Sequence, residues 1–560
     1  WPTGTTTVPC SGMAPVSTSI SIPCPSFLGA RSMTRFPCGD LTRFVNVARA
    51  AWTVRAGLSR KAAAAVTAGG GSRIAWMDCR DALKQERQRA GGGGGGGPTT
   101  PPPGTPAADC PTGLANVGTI ANNTLRVCQL PQQILGNLTL AVRAGTIYSI
   151  TGRTEVGTDR GVDPASTTGS QGILTIEPGV RIFASGGGDY LIVNRGSQIF
   201  AEGTATNPII FTSRQNVEGS ATEGSQGQWG GIVIAGRAPQ ANCQLTAPVT
   251  CTGQVEGTNA FYGGNTPTDN SGRLRYVQIK YSGFEISTGN ELQALTLAGV
   301  GSGTVIDHIQ SYNSSDDGIE IFGGNANLKY IVINGADDDG LDTDTGWRGG
   351  AQFGIVTQRA PNSTSRSAAF EFSAAPTATP YASRYLSQPK IANWTLVGRN
   401  SPTDAHTVMH FDTGTNPTLL NIVATSTTGS AAGCFDIADA DTATSFDGGS
   451  SPTIRSVYMS CGISYRPANT ARSTAVFTNA RNTNVTANGA STMTAPASGT
   501  TIANQNLAFI NGANENAVPA VDAKAVYSFF DTTTYIGAVR NSTDTWWQGW
   551  TCGLTSGSTC

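Results

Sequence analysis

Carboxylates are concentrated in two stretches that are near copies of one another, 22 residues apart: IDHIQSYNSSDDGIEIFGG from Ile306 and LKYIVINGADDDGLDTDTG from Leu328. Aligned, Asp316 and Asp317 fall on Asp338 and Asp339, Gly318 on Gly340, and Glu320 on Asp342, with Asp337 and Asp344 at the same corner. If the two stretches are stacked turns, equivalent residues stand about 5 Å apart. Each like-charge pair then costs roughly 1 kcal/mol even in a water-like dielectric. Three chemistries meet that cost. In an ordinary solvated corner, Asp accepts from local backbone N–H groups and Gly takes positive φ. A hard divalent cation held by oxygen ligands offsets the repulsion directly, and flexible Asp-rich turns suit Ca²⁺ better than Mg²⁺. Its candidate ligands are Asp316, Asp317, Asp338, Asp339, Asp342 and Asp344, although the strict EF-hand spacing is absent. The third chemistry is a general acid with a water-activating base, for which Asp317, Asp338 and Asp339 are the candidates. Inversion at a sugar carbon needs their carboxyls roughly 6.5–9.5 Å apart.

Other groups could carry chemistry as well. His406 and His410 in HTVMH share one face of an extended strand, so a metal pair and ordinary packing are both open. His308 precedes the Asp cluster. Trp347, Phe353, Phe370, Phe372, Tyr381 and Tyr385 follow the acidic turns, and aromatic faces stack on sugar rings. Trp347, Tyr381 and Tyr385 are the candidate carbohydrate contacts, with strand-core packing as the alternative. Trp546, Trp547 and Trp550 crowd the tail and suit a hydrophobic cap over an open end.

The elements that would position these groups are legible in the repeat. An apolar residue, two variable residues and a second apolar residue recur at Leu274/Val277/Ile279, Ile306/Ile309, Leu328/Ile331/Ile333, Ile391/Trp394/Leu396, Leu419/Ile422 and Ile454/Val457/Met459. A short strand with a fixed turn, repeated about every 22 residues, predicts a solenoid in which each turn buries its apolar face on the next. The fold class expected is all-β, a right-handed parallel β-helix with a Trp-rich C-terminal cap. At that period the folded body would hold roughly 16–19 turns. Composition agrees: 70 Gly, 13% charged and 7% aromatic residues suit many short strands joined by tight turns.

Residues 1–90 stand apart. Twelve Arg and Lys oppose four Asp and Glu in residues 1–91, against 24 and 33 in the rest. With no repeat there, the segment is expected to be disordered or not native coding. Residues 91–109, GGGGGGGPTTPPPGTPAAD, are a Gly/Pro-rich linker, and 110–560 is the β-helix domain. The net charge of −1 gives no pointer to nucleic acid, and no run reaches the roughly 18 apolar residues of a membrane-spanning helix. Of the 12 cysteines, those after residue 109 fall in close pairs: Cys110–Cys128, Cys243–Cys251, Cys434–Cys461 and Cys552–Cys560. Local disulfides in a long solenoid imply an oxidising compartment.

GILTIEPGVRIFASGGGDYLIVNRGSQIFAEGTATNPIIFTS, then GQWGGIVIAGRAP, NSGRLRYVQIKYSG, ELQALTLAGVGSGTVIDHIQ and the ending YIGAVRNSTDTWWQGWT resemble exported bacterial β-helix proteins of the pectate-lyase-like superfamily, over about residues 170–550. The resemblance implies the fold and export to the cell exterior, but no activity, because that family is mostly functionally undescribed. Polygalacturonase-type hydrolases are similar in placing paired Asp on successive turns, but their Gly-His-Gly and Arg-Ile-Lys motifs are missing here. In pectate-lyase chemistry an Arg base stands beside Ca²⁺. Arg348 in GWRGG could fill that role or pair with the nearby carboxylates as a turn residue. The expectation is a secreted or cell-surface protein with a binding or structural role, its partner a polysaccharide or cell-envelope component. The alternatives are a polysaccharide lyase or glycoside hydrolase, and an exported partner of an outer-membrane transporter.

Overall fold

The computed structural model describes residues 104–560 except 242–251, 288–289, 360–366, 375–384, 402–405, 427–428, 449–452, 497–505 and 556–559. Before residue 104 it describes only the backbone of four short strands. The chain forms two compact units, Trp1–Thr99 and Thr100–Cys560. In the first, Ile22–Pro23 pairs with Met33–Thr34 and Lys61–Ala68 with Gly71–Asp78, both antiparallel.

The second unit is a parallel β-helix. The chain passes repeatedly between an eleven-stranded sheet and a fifteen-stranded sheet, each strand pairing with its counterpart one turn away. The eleven-stranded sheet runs from Gln133–Ile134 to Ile463–Tyr465, and every neighbouring pair in it is parallel. Alternation sets its two faces. In Ile319–Phe322, Ile319 and Ile321 face the interior, and in Thr407–Phe411 the inward residues are Met409 and Phe411. One continuous core results, lined by Leu, Ile and Val in the early turns and by Phe370, Phe372, Phe411 and Phe435, packed ring against ring, in the later ones. Each such side chain contributes about 1.5–3 kcal/mol by leaving water.

The apolar spacing i, i+3, i+5 has a backbone cause. In the fifteen-stranded sheet one residue per turn is left-handed: Tyr276, His308, Tyr330, Phe353, Asn393, Asn421 and Ser456, with φ between 50° and 63°. That residue is skipped in the pairing, as where Arg275 opposes Asp307 and Val277 opposes Ile309. It bends each long strand around a corner, so Leu274 and Val277 both face inward despite their odd separation. A left-handed L-residue costs roughly 1–2 kcal/mol. Ring stacking offsets part of this, with centroids 4.1 Å apart for Tyr276–His308, 4.4 Å for His308–Tyr330 and 4.9 Å for Tyr330–Phe353.

Two expectations need correction. The period of 22 residues separates Val305 from Asn327, but Gly350 and Lys390 are 40 apart, so the length of chain per turn is not uniform. The helix therefore has about as many turns as its shorter sheet has strands, eleven, rather than the larger number that a uniform period implies. The Trp-rich segment also does not close an end. Trp547 and Trp550 are buried with Phe509 and Leu554 against Val332, Ile355 and Val397, on the outer face of the fifteen-stranded sheet. The C-terminal end is closed instead by the helices Ala440–Asp447 and Thr470–Phe477, which insert Phe446, Val476 and Phe477 into the core.

Three of the expected disulfides are formed, Cys110–Cys128, Cys434–Cys461 and Cys552–Cys560. The fourth, Cys243–Cys251, lies outside the described residues. Among the described residues no helix is long and apolar enough to cross a membrane.

Candidate functional site

The outward residues of the eleven-stranded sheet form a column in strict register: Thr296 beside Glu320, Glu320 beside Asp342, Asp342 beside Glu371, Glu371 beside His410 and His410 beside Asp436. Each sits between two inward-facing residues of its strand, so over these six turns the fold delivers one polar group per turn to this face, where the preceding turns carry Val233 and Ile192. The turn entering the sheet adds Asp316 and Asp317 from one turn and Asp337, Asp338 and Asp339 from the next. The two near-copies are therefore adjacent turns, as their alignment predicts.

The corner is buried. Asp317, Glu320, Asp337 and Asp339 are almost fully covered, and Asp316, Asp338, Asp342 and Asp344 are partly covered. Asp317 Oδ1 accepts from the Asp339 backbone N–H at 2.9 Å, Asp339 Oδ1 accepts from the Ala368 N–H, and Asp344 Oδ1 accepts from the Thr345 N–H at 2.6 Å. The Gln293 amide spans Glu256 Oε1 and Asp316 Oδ2, 3.3 Å from each. These bonds are the turn contacts expected of Asp and account for part of the cluster. They do not account for Glu320 Oε2 or Asp342 Oδ1, which are buried without a hydrogen-bond partner. Carboxylate oxygens of Asp317, Glu320 and Asp342 lie within 4.8 Å of one another, and so do those of Asp316, Asp317 and Asp338. Burial first, then the neighbouring negative charges, pushes Asp316, Asp317, Glu320, Asp339 and Asp342 well above the usual carboxylate range. Asp344 and Glu256 are raised as well, burial again leading.

One buried cation approaches from below. Arg399, 1% exposed, donates from Nη2 to the carbonyls of Asp337 and Asp338 at 3.1 Å. Its Nε and Nη1 are buried without partners. Further along the column, His410 Nδ1 stands 2.9 Å from Asp436 Oδ2. Asp436 also accepts from Asn469 Nδ2 at 2.7 Å and Arg466 Nη1 at 3.3 Å. Burial acts to raise Asp436, but the bonds from His410, Asn469 and Arg466 outweigh it and hold the carboxyl below its ordinary value.

Several candidates fall elsewhere. Trp347 is a core residue with no exposed surface, its indole donating to the Ala326 carbonyl at 3.0 Å, so it offers no face to a sugar. Tyr385 is nearly covered, and the Arg348 guanidinium lies 3.5 Å from its ring centroid. Arg348 Nε donates to the Leu386 carbonyl at 3.0 Å, so the residue is occupied by Tyr385 and backbone rather than turned to the acidic corner. Phe370 and Phe372 are core, and Tyr381 lies outside the described residues. His406 and His410 have different partners: His406 Nδ1 meets Ser367 Oγ at 2.8 Å, while His410 belongs to the column and meets Asp436.

Sequence reasoning missed Glu256, Gln293, Glu371, Arg399, Asp412 and Asp436. The triplets Phe370-Glu371-Phe372, Met409-His410-Phe411 and Phe435-Asp436-Ile437 did carry a signal, a lone polar residue between two core residues once per turn.

A parallel β-helix with an acidic column on its outer face defines the class of protein. The pectate-lyase like beta helix domain family matches residues 155–551, and the chain belongs to that family. No curated protein and no solved structure matches the chain.

Proposed function

We propose that this protein works at the cell exterior as a binding or structural β-helix that holds Ca²⁺ in its acidic corner and presents it to an anionic polysaccharide or another envelope component. The observation carrying this reading is the pair of buried, unpartnered oxygens, Glu320 Oε2 and Asp342 Oδ1, beside Asp317. A buried acceptor without a donor costs about 1–3 kcal/mol, and more when charged. An all-oxygen set of this kind suits a hard cation, with Asp317, Glu320 and Asp342 as the ligands from protein and Asp316 and Asp338 at its edge. Bound there, the cation would neutralise the corner and offer its remaining positions to ligand oxygens. Asp339 and Asp344, engaged by backbone N–H groups, act as turn supports. Three local disulfides support residence in an oxidising compartment.

Binding is favoured over hydrolysis by specific contacts. Asp317 and Asp338, the candidate acid–base pair, bring oxygens within 4.8 Å of one another and of Asp316, an arrangement that suits a shared cation. Asp339 is tied to the Ala368 N–H, and Arg348 is held by Tyr385. The test is thermal unfolding in chelator and in millimolar Ca²⁺, followed by retention on immobilised acidic polysaccharide. A melting curve that ignores Ca²⁺ overturns the cation site. Calcium binding without calcium-dependent retention would refute the polysaccharide partner alone.

A further inference from the structure

The column contains a second donor set of different chemistry, two and three turns beyond Glu320. One ligand atom each from Glu371, His410 and Asp412 lies within 4.8 Å of the others. We propose that these three side chains bind a divalent transition ion of the zinc class, at a site distinct from the calcium corner although Glu371 adjoins Asp342.

The imidazole makes the difference: carboxylates alone suit Ca²⁺ or Mg²⁺, whereas an imidazole in the set favours zinc-like ions. Orientation supports this. His410 is fully buried, and its Nδ1 is held by Asp436 at 2.9 Å, with Nε2 turned toward Asp412. Asp436 is in turn fixed by Asn469 and Arg466, so the carboxylate that orients the ring is itself oriented. Metal-ligating histidines characteristically give their other ring nitrogen to such a carboxylate. Asp412 is set in a similar way, since Ser373 Oγ donates to its Oδ1 while Oδ2 faces His410.

The spacing also fits. His410 Nε2 and Asp412 Oδ2 are 3.6 Å apart, beyond a normal hydrogen bond. Two ligands each about 2.0–2.1 Å from a tetrahedral zinc stand about 3.4 Å apart, close to that separation. Glu371 supplies a third ligand from the adjacent strand, leaving a fourth position for water or a ligand oxygen. Both Glu371 and Asp412 are partly exposed, so an ion can enter from solvent.

The experiment uses the full chain, stripped with chelator, dialysed and given Zn²⁺ alone. Stoichiometry is read by native mass spectrometry and affinity by competition with a chromophoric chelator. One zinc per chain is expected. Asp436→Asn should weaken it by about 10–100-fold, the usual cost of losing a carboxylate behind a ligating histidine. His410→Gln should abolish it, but that side chain is wholly buried. Asp412→Asn, at the partly exposed rim, therefore carries the same test without threatening the core and should weaken zinc at least about tenfold. Co²⁺ in place of zinc should give the visible absorption of a four-coordinate site. Absence of bound zinc overturns the proposal, as does zinc affinity unchanged in Asp412→Asn. Zinc lost in Glu320→Gln but kept in Asp412→Asn would place the ion in the calcium corner and equally overturn it. A failed calcium response leaves this result untouched.

Discussion

The two sheets of the β-helix present outward columns of similar geometry and treat them in opposite ways. On the fifteen-stranded sheet the outward groups are closed by the chain itself. Gln278 donates to the Trp550 carbonyl at 2.6 Å, and Gln310 both donates to the Cys552 carbonyl at 2.6 Å and accepts from its N–H at 3.0 Å. Asn334, Asn393 and Asn421 reach the carbonyls of Gly553, Tyr535 and Val521 in the same manner. Between these amides, Val332 and Ile355 are covered by Trp547, Trp550 and Leu554. On the eleven-stranded sheet the corresponding column is acidic, and two of its buried oxygens have no partner. Burying polar groups is therefore no guide to role in this fold. The informative quantity is the kind of buried group left unsatisfied: among the described residues the amide column and its covering tail leave neutral atoms, Asn334 Oδ1 and Trp547 Nε1, whereas the acidic column leaves carboxylate oxygens, the groups a cation answers best.

The largest effect should follow from breaking the satisfied side. Trp550 is fully buried and packs edge-on to Tyr276 and His308, with ring centroids at 5.9 and 5.3 Å. Trp550→Ala should lose about 3–5 kcal/mol in urea unfolding, with no rescue by Ca²⁺. A loss below about 1 kcal/mol would show that the tail is an appendage and would erase the contrast between the faces.

A pair of matched substitutions sharpens the contrast at a smaller scale. Gln310→Leu strands both the N–H and the carbonyl of Cys552 and should cost about 2–4 kcal/mol. Glu320→Gln, measured in chelator, should be neutral or stabilise by up to about 1 kcal/mol, because it removes a buried charge stacked on Asp342. With Ca²⁺ at a hundredfold excess over Kd, the unaltered protein should gain about 2.7 kcal/mol and Glu320→Gln should gain little. If both substitutions cost the same in chelator, the acidic column is as well satisfied as the amide column and the cation reading falls.

The legibility of these features in the sequence follows the same physical divide. The β-helix was readable because its apolar pattern is imposed by every turn. Its i, i+3, i+5 form also records the left-handed corner, although the pattern reads naturally as a plain strand. The acidic corner was readable because no loop is inserted between Val305 and Asn327, so equal sequence spacing means adjacency in space. Glu371, His410 and Asp436 lie on the same column, but insertions of unequal length separate their turns and remove the period that would have aligned them. Arg399 reaches the corner from some 60 residues away, through hydrogen bonds to backbone carbonyls that leave no mark on residue type. Trp347 failed as a binding candidate for a related reason: an indole looks the same in a sequence whether it faces a sugar or a core.

The smallest effect is a pH dependence on the acidic side, and its sign separates two neighbouring kinds of group. His406 is covered by protein, and burial first, then the charge of Arg399, lowers its pKa to about 4, with Asp337 opposing. The folded state therefore refuses a proton that the unfolded chain accepts below its ordinary value of 6.5. By linkage, the stability associated with this neutral ring is complete above about pH 6.5, declines as pH falls toward about 4, and then levels off. The raised carboxylates act in the opposite sense: their folded forms hold protons that the unfolded chain releases, so their contribution is present at low pH and is lost as pH rises. A single stability curve would mix the two. The difference between the unaltered protein and His406→Gln isolates the histidine and should slope upward from about pH 4 to 6.5, then flatten. Trp550→Ala should shift the curve without altering that slope, since the tail contacts lie on the other sheet. A flat difference would mean that His406 titrates alike folded and unfolded, so that neither its burial nor the Arg399 charge bears on it.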